Sequence, residues 1–187
     1  MKRLIMDSFG KFSEPETIRF ERLLPGPIER VWAYLTESEK RGQWLAAGEM
    51  ELRVGGKVEH IFNHDNLTPH EDPVPEKYKV QAEGSRMEGK ITQLDPPHLL
   101  SYTWGEDAGF DSEVTFELIP KDGKVLLTLT HRRLGTDREM LKGIAAGWHT
   151  HLGILVDKLN NNEPNPFWSV HMGLEKEYEK RLPQKAG

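Results

Sequence analysis

"GWHTHLGILVDKL", residues 147–159, decides the fold. It is the second half of a helical stripe in which Leu141, Ala145, Trp148, Leu152, Leu155 and Leu159 follow one another at alternating spacings of four and three, the repeat of one buried helix face. The stripe predicts a helix from about Thr136 or Asp137 to Asn160, where "NNNEPNP" (160–166) stops it. A helix of roughly 23 residues runs about 35 Å, long enough to cross a whole sheet. The rest of the chain should therefore be read for the sheet that it crosses.

Working outward, "ETIRFERLL" (16–24) alternates Ile18, Phe20 and Arg22 against charged neighbours and reads as a first strand. "PGPIERVWAYL" (25–35) changes to helical spacing at Ile28, Val31, Trp32 and Leu35, and Ser38 caps a second short helix carrying Trp44 and Leu45. "EMELRVGGKVEHIF" (49–62) alternates on both sides of Gly55–Gly56, the pattern of a tight hairpin. Strands follow at 85–95, 98–105, 111–120 and 124–134, separated by Pro96–Pro97 and "KDGK". The fold class is α+β: a curved antiparallel sheet of six or seven strands around the long C-terminal helix, with two short helices after the first strand. Residues 64–84, polar and holding three prolines, form a long loop that reads either as a lid or as partly disordered.

Composition narrows the function classes. A chain of 187 residues makes one domain, and 25 basic against 30 acidic residues, a formal charge of -5 with no basic stripe, argues against nucleic acid as a partner. The Leu4–Met6 run is too short for a signal segment and no window reaches a membrane span, so the expectation is a soluble cytoplasmic protein. The absence of cysteine rules out disulfides, thiol nucleophiles and thiolate-bound zinc.

"PGPIERVWAYLTESEKRGQWL", "LRVGGKVE", "PPHLLSYTWG", "EVTFELIP" and "GWHTHLGILVDKL" together resemble the SRPBCC, or START-like, superfamily, in the branch named after the activator of heat-shock protein 90 ATPase. The resemblance spans residues 16–160. Residues 1–15 are then an N-terminal extension, and 161–187 a C-terminal tail with a short amphipathic helix. It implies a helix-grip fold, in which the sheet curls around the helix and leaves a cavity used by relatives for apolar small molecules, for cyclisation chemistry or as a co-chaperone domain. The eukaryotic activator carries a further N-terminal domain that the residues before the first strand cannot hold, which counts against co-chaperone action.

Candidate site residues follow from which side chains share a face. On the helix, His149 and His151 point about 160° apart, so no single ion bridges them. His151 lies about 60° from Trp148, beside Ile144 and Gly147, whereas His149 lies about 100° to the other side and is expected to be solvated. Strand alternation places His60 with Phe62, Tyr102 with Trp104, Phe116 among Val114 and Leu118, and His131 with Leu129 on the inner face. The candidate ligand-binding set is therefore His60, Phe62, Tyr102, Trp104, Phe116, His131, Ile144, Gly147, Trp148 and His151. No pattern calls for a metal or a cofactor: the histidines lack zinc spacing, and "NHDNLTPHEDP" (63–73) fits no calcium loop. The leading expectation is non-enzymatic binding of a small, mostly apolar molecule. The alternatives are a co-chaperone-like module, and a cyclase or hydrolase using His60, His131 or His151 as general base. Phe167, Trp168, Val170, Met172 and Leu174 in the tail need a docking surface, either on the chain itself or in a homodimer.

Overall fold

The computed structural model describes residues 8–184. The Leu4–Met6 run and most of the N-terminal extension's first half lie outside the described residues. Chain order is β1 (Lys11–Ser13), β2 (Thr17–Pro25), α1 (Ile28–Thr36), α2 (Ser38–Arg41), β3 (Lys57–Phe62), α3 (Lys79–Ala82), β4 (Ser85–Asp95), β5 (Leu99–Trp104), β6 (Ser112–Lys121), β7 (Lys124–Arg132), α4 (Arg138–Leu159) and α5 (Phe167–Glu179). Short 3-10 turns sit at His64–Asn66, Glu76–Tyr78 and Glu106–Ala108. The strands form one seven-stranded sheet in the order β1-β2-β7-β6-β5-β4-β3, with every neighbouring pair antiparallel.

The period-two reading holds in β2, where Ile18, Phe20, Arg22 and Leu24 are buried and alternate with exposed residues. The helical stripe holds as well. Asp137 caps α4 by accepting the Met140 N–H at 2.8 Å, and all six stripe residues are buried. Trp148 meets Trp104 of β5 at 4.9 Å and stands edge-on to Phe116 of β6 at 6.1 Å, so α4 lies against the inner face of the sheet in the helix-grip arrangement.

Two sequence expectations differ from the structure here. The first arm of the Gly55–Gly56 hairpin is not a strand. It runs beside β3 through three backbone bonds, Ile61 N–H to Ala47 O, Glu59 N–H to Glu49 O and Glu51 N–H to Lys57 O, but forms only isolated bridges. Gly48 sits at φ +126 with the Glu59 carbonyl 2.3 Å from where a Cβ would stand, which breaks the extended run. The seventh strand is instead β1, drawn from the extension. Ser38 begins α2 rather than capping it, and its Oγ accepts the Gly48 N–H at 2.9 Å.

The tail closes the molecule. Phe167, Trp168, Leu174 and Tyr178 of α5 are buried, with α5 packed along α4. Tyr178 Oη accepts the Gly10 N–H at 2.8 Å and shares a hydrogen bond with His149 Nδ1 at 2.8 Å, tying the N-terminal segment, α4 and α5 together. His149 is accordingly not solvated: it is 4% exposed, with Phe9 edge-on at 5.1 Å. Helical angles state which side of α4 turns from the sheet, not whether another element covers that side. The apolar tail residues that motivate a homodimer are largely used within the chain.

Candidate functional site

Between the sheet and α4, side chains from five elements meet in a continuous aromatic cluster. His60 of β3 lies 5.2 Å from both Tyr102 and Trp104 of β5 and stacks on Phe62 at 5.9 Å. Trp104 reaches Trp148 of α4 and, at 5.8 Å, His131 of β7, while Phe116 packs on Tyr102 and Trp148. Strand register produces this: Tyr102 faces Val114, and Val114 faces His131, so alternate residues of β5, β6 and β7 line up on one side. Seven of the ten candidate residues therefore come together: His60, Phe62, Tyr102, Trp104, Phe116, His131 and Trp148.

The other three lie on a different side of α4. His151 Nδ1 donates to the Trp44 carbonyl at 2.7 Å and its ring packs on Phe167 and His64 at 5.1 and 5.8 Å. Ile144 is half-buried, and a Cβ at Gly147 would stand 4.0 Å from His171 Cε1. Gly143 lies under the Tyr78 hydroxyl in the same way. The small-residue patch on α4 is thus covered by α5 and by the 64–84 segment, not by a strand.

Hydrogen-bond roles separate these histidines. Trp148 Nε1–H donates to His131 Nδ1 at 3.0 Å, so in the neutral ring Nε2 carries the proton and donates to Ser112 Oγ at 3.0 Å, which in turn donates to the Trp104 carbonyl. His131 is fully partnered and acts as a structural tie. His60 shares one hydrogen bond, Nε2 with the Tyr102 hydroxyl at 3.3 Å, and its Nδ1 is buried with no partner among the described residues. Burial pushes the His60 imidazole down to about 3, helped by the Arg41 charge, and burial alone does the same to His131. His151 falls to about 3 through burial and its neighbours His64 and His171, against the opposing bond to Trp44. All three are neutral rings at physiological pH.

A second polar cluster, absent from the candidate set, lies where the 64–84 segment meets α5. Glu175, 4% exposed, accepts from His171 Nε2 at 3.2 Å, from Lys77 Nζ at 2.6 Å and from the Tyr78 hydroxyl. Burial alone would raise the Glu175 carboxyl, but these three donors outweigh it and hold it at about 2. His64 packs on Phe167 and Trp168 at 4.7 and 5.2 Å, and burial, with the nearby His171, pushes its imidazole down to about 4. Nδ1 of His64 and of His171 are, like that of His60, buried without a partner among the described residues. The sequence carried one signal for this cluster, His171 and Glu175 at i and i+4 on one helix face. Nothing local pointed to Lys77, Tyr78 or His64, which reach it from about a hundred residues away in the chain. Arg41 was also missed. Fully buried, it donates to the carbonyls of Ala46, Gly48 and Glu59 at 2.8–3.0 Å and, at 3.4 Å, to Thr36, pinning the irregular segment beside β3.

An open cleft of 1330 Å³ sits elsewhere, along β1 and the start of α4, between Phe12, Leu141, Arg138 and Arg181. It includes none of the ten candidate residues and no partnerless buried nitrogen.

No curated protein matches the chain. Among solved structures, the NMR structure of the protein encoded by gene BPP1335 from Bordetella parapertussis is similar over 95% of this chain and 93% of that one, at 41% identity and a TM-score of 0.77. The crystal structure of CalU16 from Micromonospora echinospora is 21% identical over 90% and 89% of the two chains, with a TM-score of 0.66, and shares the fold. So does EF2215 from Enterococcus faecalis, a conserved protein of unknown function, at 19% identity over 97% and 96% and a TM-score of 0.62. The family model described as Activator of Hsp90 ATPase homolog 1-like protein matches residues 25–160, which takes in β3 to β7 and α4 and the aromatic cluster between them, and the chain belongs to that family.

Proposed function

We propose that this protein binds a small, mostly apolar molecule between the sheet and α4, with residues 64–84 as the lid. The observation that carries the reading is His60. Only 1% exposed, it is enclosed by Phe62, Tyr102 and Trp104, and its Nδ1 has no partner among the described residues. Leaving such an atom unsatisfied costs about 1–3 kcal/mol, which one polar group on an otherwise apolar ligand would recover. The lid assignment rests on the way 64–84 is fastened through its middle to α5 and the turn before it: His70 to Glu163 at 3.1 Å, Asp72 to Ser169, and Lys77 with Tyr78 to Glu175. The open cleft along β1 is the weaker site, because it is edged by charged surface residues and offers no desolvated polar atom. A thermal-shift screen of fatty acids, isoprenoids and aromatic polyketides, with native mass spectrometry after mild purification, tests the reading. A ligand of the folded state raises Tm; no rise across the screen overturns it.

The family match favours a second reading, action on a heat-shock ATPase. A pull-down and an ATPase assay with the cognate chaperone decide it, and an unchanged ATPase rate removes it.

A further inference from the structure

We propose that His171 and Glu175 form a hydroxyl-recognition site beneath the 64–84 segment, which takes the polar end of a neutral, hydroxyl-bearing apolar molecule such as a phenol. The inference goes beyond the binding reading above, because the site lies on the α5 side of α4, apart from the sheet–helix cluster.

The argument starts from Glu175. Its carboxylate receives His171 Nε2, Lys77 Nζ and the Tyr78 hydroxyl, and a carboxylate with three donors stays ionised and only accepts. His171 Nε2 must therefore carry a proton. The ring's Nδ1 is buried and has no partner among the described residues.

The surroundings are aromatic. Phe167 stacks on the His171 ring at 5.9 Å, Trp168 and Tyr78 meet it edge-on at 5.9 and 5.0 Å, and Gly147 places no side chain beneath it. His64 packs on the same Phe167–Trp168 pair, and its partnerless Nδ1 can donate or accept according to tautomer. A hydroxyl, which both donates and accepts, matches this pair of nitrogens. An anion would add charge beside Glu175 and carry its own desolvation cost. A cation gains little, because Lys77 already neutralises that carboxylate while desolvation remains to be met.

The test uses the full chain with nitrogen-15-labelled histidine and three probes of one size, phenol, toluene and benzoate. In the free protein, His171 is expected to show a protonated Nε2. Phenol is expected to shift the Nδ1 resonance and to bind about tenfold more tightly than toluene, the worth of one hydrogen bond, with benzoate weaker than both. His171→Phe is expected to keep toluene binding and lose the phenol advantage. The wild-type nitrogen shifts answer the question even if that variant fails to fold. Equal binding of phenol and toluene, or a phenol-induced shift at His60 with His171 unmoved, overturns the site while leaving the sheet–helix reading intact. No binding of either phenol or toluene overturns the site as well.

Discussion

Four histidines, His60, His131, His149 and His151, are held neutral by burial, each pushed down to about 3, and each must be charged when the chain unfolds in acid. An unfolded imidazole takes its proton near pH 6.5. Between there and about pH 3 the unfolded state binds more protons than the folded one, so stability is level above the unfolded value and falls as pH drops through this window. Each histidine contributes a slope of up to about 1.4 kcal/mol per pH unit. The urea midpoint is expected to hold between pH 8 and 7 and to drop steeply by pH 5; a level midpoint across that range would show that the rings protonate within the fold. Arg41 gives a second residue-scale prediction. Its guanidinium supplies hydrogen bonds to four carbonyls, and Arg41→Met leaves them without that donor in a buried place. The expected loss is about 3–5 kcal/mol by urea denaturation, whereas a loss near that of an ordinary surface substitution would mean that the segment 46–48 holds itself.

At the scale of elements, α5 acts as a cover for α4 and an anchor for the 64–84 segment. Asp72 accepts both the N–H and the hydroxyl of Ser169 at 2.8 Å in the first turn of α5, whose own N-cap residue, Pro166, offers no side-chain bond. Asp72→Ala is expected to cost about 1 kcal/mol and to speed hydrogen exchange in 64–84 while the amides of β6 and β7 keep their protection. Exchange rising equally everywhere would mean that the segment does not open on its own. Truncation after Asn162 goes further, because it bares His149 and removes Glu175 and Ser169 together. Protease cleavage within 64–84 is expected to become much faster than in the intact chain.

For the whole molecule, the apolar residues of α5 are largely used internally, so the same truncation is expected to lower Tm without lowering the oligomeric mass measured by light scattering. A dimer that becomes a monomer on truncation would restore the tail as an interface. The family match over residues 25–160 leaves out β1, all of β2 but Pro25, and α5, whose Tyr178 ties Gly10, just before β1, to His149 of α4. The sequence by itself determined the grip: the four-three stripe of α4 and the alternation of β2 and β4 to β7 are local periodicities, and each fixes which side chains share a face whatever else the chain does. It also determined that His60, Tyr102, Trp104 and His131 would share one side of the sheet. Register then assembled them. Tertiary structure alone decided that His149 is dry, that Lys11–Ser13 replaces the expected arm before Gly55–Gly56, and that Lys77, Tyr78 and His64 meet His171 and Glu175. Those outcomes depend on which distant segment covers which face, and no local period encodes the cover.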